Sequence, residues 1–327
     1  MSGEIAFACI SARTGIPKHA VDRVELRAGH GIVGDAHAGE GHRQVSLLDE
    51  RDAETMRERG LALAPGAFGE NLLTRGLALD DLGIGSVLAV GDARLEITQI
   101  GKVCHTRCAI YFKSGDCIMP RSGIFARVLQ GGEAAAGTPL AVTTPVPRAV
   151  MQAAVLTVSD RSAAGVTTDT AGPATAAALA DRLGAHVAWT GIVPDQVDAI
   201  ETSLKQLADR GLDLVLTVGG TGLAGRDVTP EATRTVVDRE VPGLPEAMRA
   251  ASARITPNAW LSRAVAGVRR ATLIVNLPGS RKAAVENLEA LVPILPHAVR
   301  MLRGDTTHPE ADRGRERGDA EVVEVCP

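Results

Sequence analysis

Glycine, serine and acidic residues follow four separate apolar segments in the second half of this chain of 327 residues. Glycine lets backbone N–H groups approach an anion, and hydroxyl groups add further donors, so this combination is typical of phosphate-binding sites. Four such loops in one half of a chain are harder to explain by chance than one. We therefore predict that they form a single phosphate site. Its candidate residues are Ser159, Asp160, Gly219, Gly220, Thr221, Gly222, Asn276, Pro278, Gly279 and Ser280.

The most glycine-rich of these loops is Gly-Gly-Thr-Gly at 219–222. No Gly-Lys-Ser or Gly-Lys-Thr follows it, which excludes a P-loop of the Walker A type. Taken alone, the loop has two interpretations: a cradle of N–H groups for an anion, or a tight turn after a strand that binds nothing. Ser280 favours the first, because it can cap the last long helix and so bring the positive end of that helix to the same place.

Two aspartates, Asp195 and Asp227, are the candidate catalytic residues. Asp227 comes just before Thr229 and Pro230, which we interpret as the cap and first residue of a helix, so its carboxylate lies just outside a helix N-terminus. Mg²⁺ is commonly held by one or two carboxylates together with phosphate oxygens, and we predict such a site with Asp227 as a ligand. Asp195 can also serve simply as the cap of the helix that follows it, and this role is compatible with the first.

The first half of the chain carries a group of thiols. An odd total of five cysteines, three of them close together, is not typical of a disulfide framework. Free thiols instead fit a reducing cytoplasm and leave the sulfurs available for metal, sulfur or cofactor chemistry. The three neighbouring cysteines are Cys104, Cys108 and Cys117.

Cys104 has three interpretations. It can be an inert buried side chain, the ordinary fate of a single cysteine. It can bind zinc together with His105, Cys108 and Cys117, although their spacing is not that of the usual zinc knuckle. It can also be a thiolate that binds molybdenum or carries sulfur, and nearby cations such as Lys102 favour this third interpretation.

The loops need a sheet to hold them. In the second half, apolar segments of strand length alternate with segments of helix length, which predicts a three-layer α/β domain with a mainly parallel sheet. In such domains ligands bind beyond the carboxyl ends of the strands. The predicted strands are 153–159, 186–193, 212–218 and 271–277; the predicted helices include one ending near 184, one over 195–211 and a long one over 280–302.

The first half has short apolar segments between glycine-rich turns, at 45–48, 87–90 and 95–98, and is expected to be a mostly-β barrel or sandwich. Two prolines in 143–147 predict an extended linker between separately folding halves. We therefore place the domains at 1–143 and 151–305, the linker at 144–150 and a charged, disordered tail at 306–327.

Composition excludes several classes of function. The net charge is −4 and the aromatic residues are only four Phe, two Trp and one Tyr, which argues against nucleic-acid binding. No apolar stretch of about 18 residues predicts a membrane span, and the first residues lack the pattern of a signal peptide. We expect a cytoplasmic protein.

The motifs of the second half resemble those of one family. Leu-Thr-Val-Ser-Asp-Arg at 156–161, Pro-Asp at 194–195, Gly-Gly-Thr-Gly followed after four residues by Asp-Val-Thr-Pro-Glu-Ala, and Asn-Leu-Pro-Gly at 276–279 are similar to MogA/MoaB-type molybdopterin adenylyltransferases. The resemblance spans about residues 151–304. It implies a molybdopterin-binding fold that uses ATP and Mg²⁺ to form adenylylated molybdopterin and pyrophosphate. It places the family's two important aspartates on Asp195 and Asp227, assigns nucleotide and pterin to the phosphate loops, and implies a homo-oligomer, a trimer.

The first half resembles a MOSC domain, a family named for its kinship to molybdenum-cofactor sulfurases. The motifs are Gly-Asp-Ala-His at 34–37, Gly-Glu-Asn at 69–71 and Gly-Lys-Val-Cys at 101–104. The resemblance places the cysteine that holds the cofactor or carries sulfur on Cys104, and it implies binding of molybdenum and of pyridoxal phosphate. Arg43 is a candidate contact for a cofactor phosphate. We interpret His37 and His42 as polar pocket or structural residues rather than a second metal site.

Together the halves predict an enzyme of molybdenum-cofactor biosynthesis. A short tether between them would raise the effective concentration of a labile pterin. One alternative is a carrier that stores or sulfurates the cofactor without using ATP, and another is a zinc-stabilised scaffold with a generic nucleotide site. The expected partners are a pterin, a nucleotide, and other cofactor-biosynthesis proteins or molybdoenzymes, with no nucleic acid and no membrane.

Overall fold

The computed structural model describes residues 2–58, 63–102 and 117–305, which form a β-barrel followed by an α/β domain. Within these residues, no helix has the length and apolar character needed to cross a membrane. The elements of the barrel half are β1 Ser2–Ile10, β2 His19–Val21, β3 Arg23–Arg27, β4 Gly31–Ile32, β5 Val45–Asp49, α1 Glu50–Glu58, β6 Leu72–Arg75, a 3-10 helix Leu79–Asp81, β7 Val87–Val90, β8 Ala93–Ile100, α2 Met119–Ser122, β9 Ile124–Gln130, β10 Gly132–Ala135 and β11 Pro139–Thr144.

Seven strands close the barrel in the order β11-β7-β8-β9-β5-β6-β1, and pairing of β1 with β11 completes the ring. β2 extends the sheet beyond β1, while β10, β3 and β4 form a separate three-stranded sheet. In β3 of this second sheet, Val24 and Leu26 are buried and their neighbours are exposed, as the two-residue period of a strand requires. The predicted mostly-β barrel is confirmed, and all three predicted apolar segments lie in strands.

The second half is the predicted three-layer α/β domain. Its sheet has the order β13-β12-β14-β17-β16-β15, with the first four strands parallel and the last two antiparallel. Its elements are β12 Gln152–Val158, α3 Asp160–Ala163, α4 Ala171–Leu183, β13 His186–Val193, α5 Val197–Asp209, β14 Leu214–Val218, α6 Thr229–Val236, β15 Arg239–Glu240, α7 Gly243–Ala253, a 3-10 helix Pro257–Leu261, β16 Ala266–Arg269, β17 Thr272–Leu277, α8 Arg281–Leu291 and α9 Leu295–Leu302.

Helices cover both faces of this sheet, so the central strands are apolar on both sides. In β12, Ala153 and Val155 belong to the core beneath α4, α7 and α8, whereas Ala154 and Leu156 belong to the core beneath α5 and α6. This division follows the two-residue period of a strand. Burial on both faces explains why the strand reads as a continuous apolar run rather than an alternating one.

The prediction of a single long helix over 280–302 is wrong. The structure has two helices there, Arg281–Leu291 and Leu295–Leu302. Pro293 lies between them. Proline has no backbone N–H and clashes with the preceding turn, so the first helix ends before it.

Residues 144–150 do not form a free linker. Val146 is buried, and its carbonyl oxygen accepts the N–H of Gly83 at 2.6 Å and the hydroxyl of Ser86 at 3.1 Å. The buried apolar residues of the barrel and of one face of the α/β domain form one continuous core, which includes Ile100 and Leu212. The joining segment is therefore packed against the barrel, which its prolines alone did not indicate.

The barrel packs at the amino ends of the parallel strands. Gly83 of the barrel lies against the side chain of Gln152, the first residue of β12, and Gly85 lies against His186, the first residue of β13. The carboxyl ends of the same strands, where the predicted loops lie, therefore face away from the barrel.

Candidate functional site

The carboxyl edge of the α/β sheet holds a cavity of about 250 Å³. This is at the small end for a ligand site, so it suits a phosphate group and its immediate surroundings, with the rest of a ligand on the open surface. The predicted site residues that line it are Ser159, Asp160, Asp195, Gly219, Gly220, Asp227 and Gly279.

Asp160 and Asp195 fix two of these loops to each other. The N–H of Asp160 donates to Oδ2 of Asp195 at 2.7 Å, and the N–H of Asp195 donates to Oδ1 of Asp160 at 2.9 Å. Ser159 holds the first loop further, because its hydroxyl accepts the N–H of Ser162 at the start of α3. The carboxylate of Asp195 is thus held in place by the loop after β12.

The electrostatic surroundings of Asp195 are unfavourable for its charge. Burial raises the pKa of the Asp195 carboxyl above its ordinary value, and the negative charges of Asp160 and Asp227 act in the same direction. The N–H of Asp160 and the charge of Arg226 oppose this effect. Carboxylates concentrated in this way favour a cation at the cavity, since a cation would relieve their mutual repulsion.

Two positions in the glycine-rich loop require glycine. Gly219 and Gly220 have φ angles of 113° and 64°, in the left-handed region. A Cβ at Gly219 would lie 2.3 Å from the carbonyl oxygen of Val158, and one at Gly220 would lie 2.3 Å from Oγ1 of Thr229 and 3.2 Å from Oδ1 of Asp195. The backbone of this loop therefore passes directly beside the Asp195 carboxylate.

Asp227 and Arg263 hold the far end of this loop. Oδ2 of Asp227 accepts the N–H of Ala224 at 2.9 Å. The guanidinium of Arg263 donates to the carbonyl oxygens of Gly222 and Asp227 and pairs with Glu231 in α6. Arg263 was not among the predicted site residues, because it lies 36 positions from Asp227 in sequence and its contacts depend on the fold.

Thr221, Gly222, Pro278 and Ser280 do not line the cavity. The carbonyl oxygen of Thr221 accepts the N–H of Arg263, and the hydroxyl of Ser280 caps α8 by accepting the N–H of Ala283, which confirms the predicted cap. These residues shape the edge of the sheet. Their predicted contact with a ligand stays a prediction.

Asn276 also lies away from the cavity and is fully buried. Its amide nitrogen donates to the hydroxyls of Thr217 and Thr233, both at 2.9 Å, and its oxygen accepts the N–H of Val265 at 3.1 Å. The side chain thus joins β17 to β14, to α6 and to the segment before β16. In this position it supports the sheet edge rather than touching a ligand there.

Two predicted helix caps are wrong. Thr229 is the first residue of α6, not its cap, and its hydroxyl donates to the carbonyl oxygen of Gly219 at 2.9 Å. Asp195 does not cap α5, which begins at Val197 after Gln196 and has no side-chain cap. Both side chains instead stabilise the loops around the cavity, which the local sequence could not reveal.

Asp169 is a cavity residue that sequence reasoning missed. One of its carboxylate oxygens accepts the N–H groups of Ala171 and Gly172 at 3.0 Å each, and the other accepts the hydroxyl of Thr157 at 2.6 Å. It therefore supplies acceptors to the first turn of α4. An aspartate just before Thr-Ala-Gly-Pro is a recognisable helix-start signal that could have identified it.

The residues at the cavity fit a magnesium ion bound together with a ligand phosphate. No group of three metal-binding side chains forms a closed cage in the described residues. Mg²⁺ usually takes one or two carboxylates and completes its shell with phosphate oxygens and water, so Asp227 with Asp195 is an adequate donor set. The raised pKa of Asp195 agrees with this donor set, because a bound cation would stabilise the ionised carboxylate.

In the barrel, Lys18 and Asp35 form a buried ion pair, and the exposed side chain of His37 lies against it. The Lys18 ammonium pairs with Asp35 and lies 3.3 Å from Nδ1 of His37, and Asn71 donates to Asp35 at 3.1 Å. Burial acts to raise the pKa of Asp35, but hydrogen bonds from His37 and Lys18 hold it well below its usual range. The interpretation of His37 as a polar pocket or structural residue stays a prediction.

Cys104, His105 and Cys108 lie outside the described residues. Cys117 is buried and not in a disulfide, and Arg43 is exposed. His42 is hydrogen-bonded to Gln99 at 3.0 Å. The roles of Cys104 and Arg43 toward a cofactor stay predictions.

Comparison with known proteins finds a match for each half of the chain. A family model described as "Probable molybdopterin binding domain" matches residues 154–297, and the MOSC domain model matches residues 34–141. Molybdopterin adenylyltransferase of Helicobacter pylori is 44% identical over 153 residues, which cover 46% of this chain and 87% of that protein. The chain belongs to the molybdopterin adenylyltransferase family. Its adenylyltransferase-family domain follows a MOSC domain.

Two further relatives are similar to the adenylyltransferase-family domain. A crystal structure of the molybdopterin biosynthesis enzyme MoaB from Thermus thermophilus is 53% identical, covering 47% of this chain and 98% of that one, with a TM-score of 0.45. Gephyrin of Dictyostelium discoideum is 38% identical over 173 residues, half of this chain. The match spans only 24% of gephyrin, about a quarter of its length.

Proposed function

We propose that this protein acts in molybdenum-cofactor biosynthesis and that its adenylyltransferase-family domain transfers AMP from ATP to molybdopterin. A phosphate oxygen of molybdopterin would attack the α-phosphorus of ATP. The new P–O bond forms as the bond to pyrophosphate breaks, and pyrophosphate leaves. The observation that carries the proposal is the meeting of Asp195, Asp227 and the Gly219–Gly220 backbone at one cavity.

Each of these groups has a part in the transfer. The N–H of Gly219 donates to the carbonyl oxygen of Leu277, so the remaining N–H groups of the glycine-rich loop bind phosphate oxygens, where the missing Cβ of Gly220 leaves the backbone open to a ligand. Asp227 and Asp195 would hold Mg²⁺, which neutralises charge on the phosphates when bound. Asp160 keeps Asp195 in position through the paired hydrogen bonds. Nothing in this arrangement requires the chain to supply a nucleophile.

For the MOSC domain we propose binding of the molybdenum cofactor, or transfer of sulfur, through Cys104, with Arg43 on a cofactor phosphate. Pyridoxal phosphate binding, a trimeric assembly, contacts with molybdoenzymes and a cytoplasmic location belong to the same proposal. They follow from the kinship of the two domains and from the composition of the chain.

The test is pyrophosphate release by the full-length protein with Mg²⁺, ATP and molybdopterin. We expect release that requires all three and an adenylylated pterin as the second product. Tight pterin binding without any pyrophosphate would reject the transferase and favour the non-catalytic carrier.

A further inference from the structure

Two arginines, Arg161 and Arg226, line the cavity at the carboxyl edge and have no part in the transfer described above. Arg161 belongs to α3, which follows β12, and Arg226 belongs to the loop that follows β14. β12 and β14 are neighbouring parallel strands, so the two arginines approach the cavity from the same edge of the sheet. Both residues are exposed, and a ligand in the cavity can reach them.

The guanidinium groups of these two arginines are not engaged by the described part of the chain. Within residues 2–58, 63–102 and 117–305, neither side chain makes a hydrogen bond or an ion pair. Arg263, which holds the same loop as Arg226, is by contrast paired with Glu231. The positive charge of Arg226 nevertheless acts to lower the pKa of Asp195, so this arginine lies near the carboxylate without being bonded to it.

The four carboxylates of the cavity are held by the backbone instead. Asp160 and Asp195 accept each other's N–H groups, and Asp169 and Asp227 accept N–H groups from neighbouring residues of their own loops. These bonds fix the carboxylates in place, so they do not turn toward the arginines. Positive and negative side chains therefore share one cavity without neutralising each other.

A ligand of this cavity has to satisfy both signs of charge. The carboxylates would repel a simple anion, and the arginines would repel a bare cation. A complex of Mg²⁺ with phosphate groups meets both demands, because the metal ion faces the carboxylates while phosphate oxygens face the guanidinium groups. Arginine suits phosphate in particular, since its planar fork donates two parallel hydrogen bonds to a pair of oxygens.

Two arginines on separate loops favour two adjoining phosphate groups over one. A single phosphate that already binds Mg²⁺ and the N–H groups of the glycine-rich loop has too few free oxygens for two forks. A diphosphate offers one phosphate group to each arginine. The cavity, of about 250 Å³, is small for a whole nucleotide but suits the diphosphate end of one.

We propose that Arg161 and Arg226 bind the β- and γ-phosphates of ATP and hold them as pyrophosphate forms. When the bond to the α-phosphorus breaks, its electron pair goes to an oxygen of pyrophosphate, and the two guanidinium groups neutralise the growing negative charge. The assignment of the diphosphate to ATP rests on the proposed function. Binding of pyrophosphate with Mg²⁺ does not, because it can be measured without any transfer.

The experiment is isothermal titration calorimetry of the full-length protein with pyrophosphate, and separately with orthophosphate, in the presence of Mg²⁺. Arg161→Gln and Arg226→Gln remove one charge each, and Arg94→Gln, at an exposed position of β8 in the barrel, is the matched control. We expect pyrophosphate to bind the wild type and the control about tenfold more tightly than orthophosphate. Each of the other two variants should lose about tenfold in pyrophosphate affinity, as expected for one charge-assisted hydrogen bond.

Binding of oxidised, fluorescent molybdopterin and the melting temperature are measured on the same proteins, and we expect both to be unchanged. Wild-type affinity for pyrophosphate in both variants would overturn the proposal, as would equal affinities of the wild type for pyrophosphate and orthophosphate. Loss of molybdopterin binding with pyrophosphate binding intact would assign the arginines to the pterin phosphate and also overturn it. Loss of pyrophosphate affinity in the variants, in a protein whose wild type releases no pyrophosphate from ATP and molybdopterin, would support the arginine site and reject only the transferase.

Arg226→Lys separates the fork from the charge. Lysine is a point charge without the planar fork, so we expect an affinity for pyrophosphate between those of the wild type and Arg226→Gln. An affinity of Arg226→Lys equal to that of Arg226→Gln would mean that charge at this position contributes nothing, and it would overturn the role of Arg226 in neutralising pyrophosphate.

Discussion

Asp160 and Asp195 each accept a hydrogen bond from the backbone N–H of the other, at 2.9 and 2.7 Å. The pairing joins the loop after β12 to the loop after β13, although the two residues are 35 positions apart in sequence. It keeps the Asp195 carboxylate beside the glycine-rich loop, where a phosphate would lie. A candidate catalytic group is thus held in position before any ligand arrives.

Replacing Asp227 should abolish most of the transferase activity. Asp227→Asn keeps an oxygen that can accept the N–H of Ala224, so the loop should stay folded, but it removes the charge needed for Mg²⁺. We expect pyrophosphate release to fall roughly 100-fold or more. Asp92→Asn, in an exposed turn of the barrel, is the control. Wild-type rates in Asp227→Asn would remove this residue from the mechanism.

Replacing Asp195 should separate activity from stability. Because the pKa of Asp195 is raised in the folded protein, ionisation of this carboxyl lowers the free energy of unfolding. Its contribution to stability is fully present below the ordinary pKa of aspartate and is lost as the pH rises through the raised value. Asp195→Asn avoids this loss while keeping an acceptor for Asp160. We expect its melting temperature to match the wild type near pH 3.5 and to exceed it near pH 7, with transfer strongly reduced. A melting temperature of Asp195→Asn that falls below that of the wild type as the pH rises from 3.5 to 7 would contradict this assignment.

Arg263 should control how the loop presents Asp227. Arg263→Lys keeps the positive charge but cannot reach Gly222, Asp227 and Glu231 at once, since lysine lacks the planar fork. We expect roughly tenfold slower transfer, with an unchanged melting temperature as the sign that the fold is intact. Arg254→Lys, at an exposed position after α7, should have no effect. Equal rates of transfer in both variants would show that the loop keeps its conformation without the guanidinium contacts of Arg263.

The joining segment should couple the two domains in unfolding. Val146 is 9% exposed and packs where the domains meet, whereas Val166 is 69% exposed. We expect Val146→Ala to lower the free energy of unfolding by roughly 2 kcal/mol, and Val166→Ala to change it little. Calorimetry of the intact protein should show one transition. Two well-separated transitions, with Val146→Ala shifting only one of them, would restore the picture of independent halves.

Thiol labelling tests the role of Cys104. Lys102, His105 and Arg107 flank it in sequence, which favours the reactive thiolate. Burial raises the pKa of Cys9 to about 12, and Cys117 is also buried, so both should react slowly. We expect peptide mapping to find Cys104 alkylated first, and Cys104→Ser to lose cofactor retention by the MOSC domain with pyrophosphate release unchanged. Protection of Cys104 and Cys108 until a chelator is added would favour the zinc site instead.

The amino-acid sequence by itself determined the elements and the kind of chemistry. Apolar runs of strand length separated by helical segments specify a parallel sheet, because each strand is buried on both faces and the connections are long enough for a crossover. Gly219 and Gly220 mark a backbone that must adopt positive φ angles. Such properties are local, so they can be read from neighbouring residues. The break at Pro293 is equally local, and the single helix predicted over 280–302 failed to take account of it.

Only the tertiary structure decided which distant residues meet. The partnership of Asp160 with Asp195, the fork of Arg263 around the loop, and the use of Asn276 as a buried link all join residues far apart in sequence. The same holds for the packing of Val146 against the barrel. No local pattern encodes them, since a hydrogen bond between loops depends on the sheet that brings the loops together.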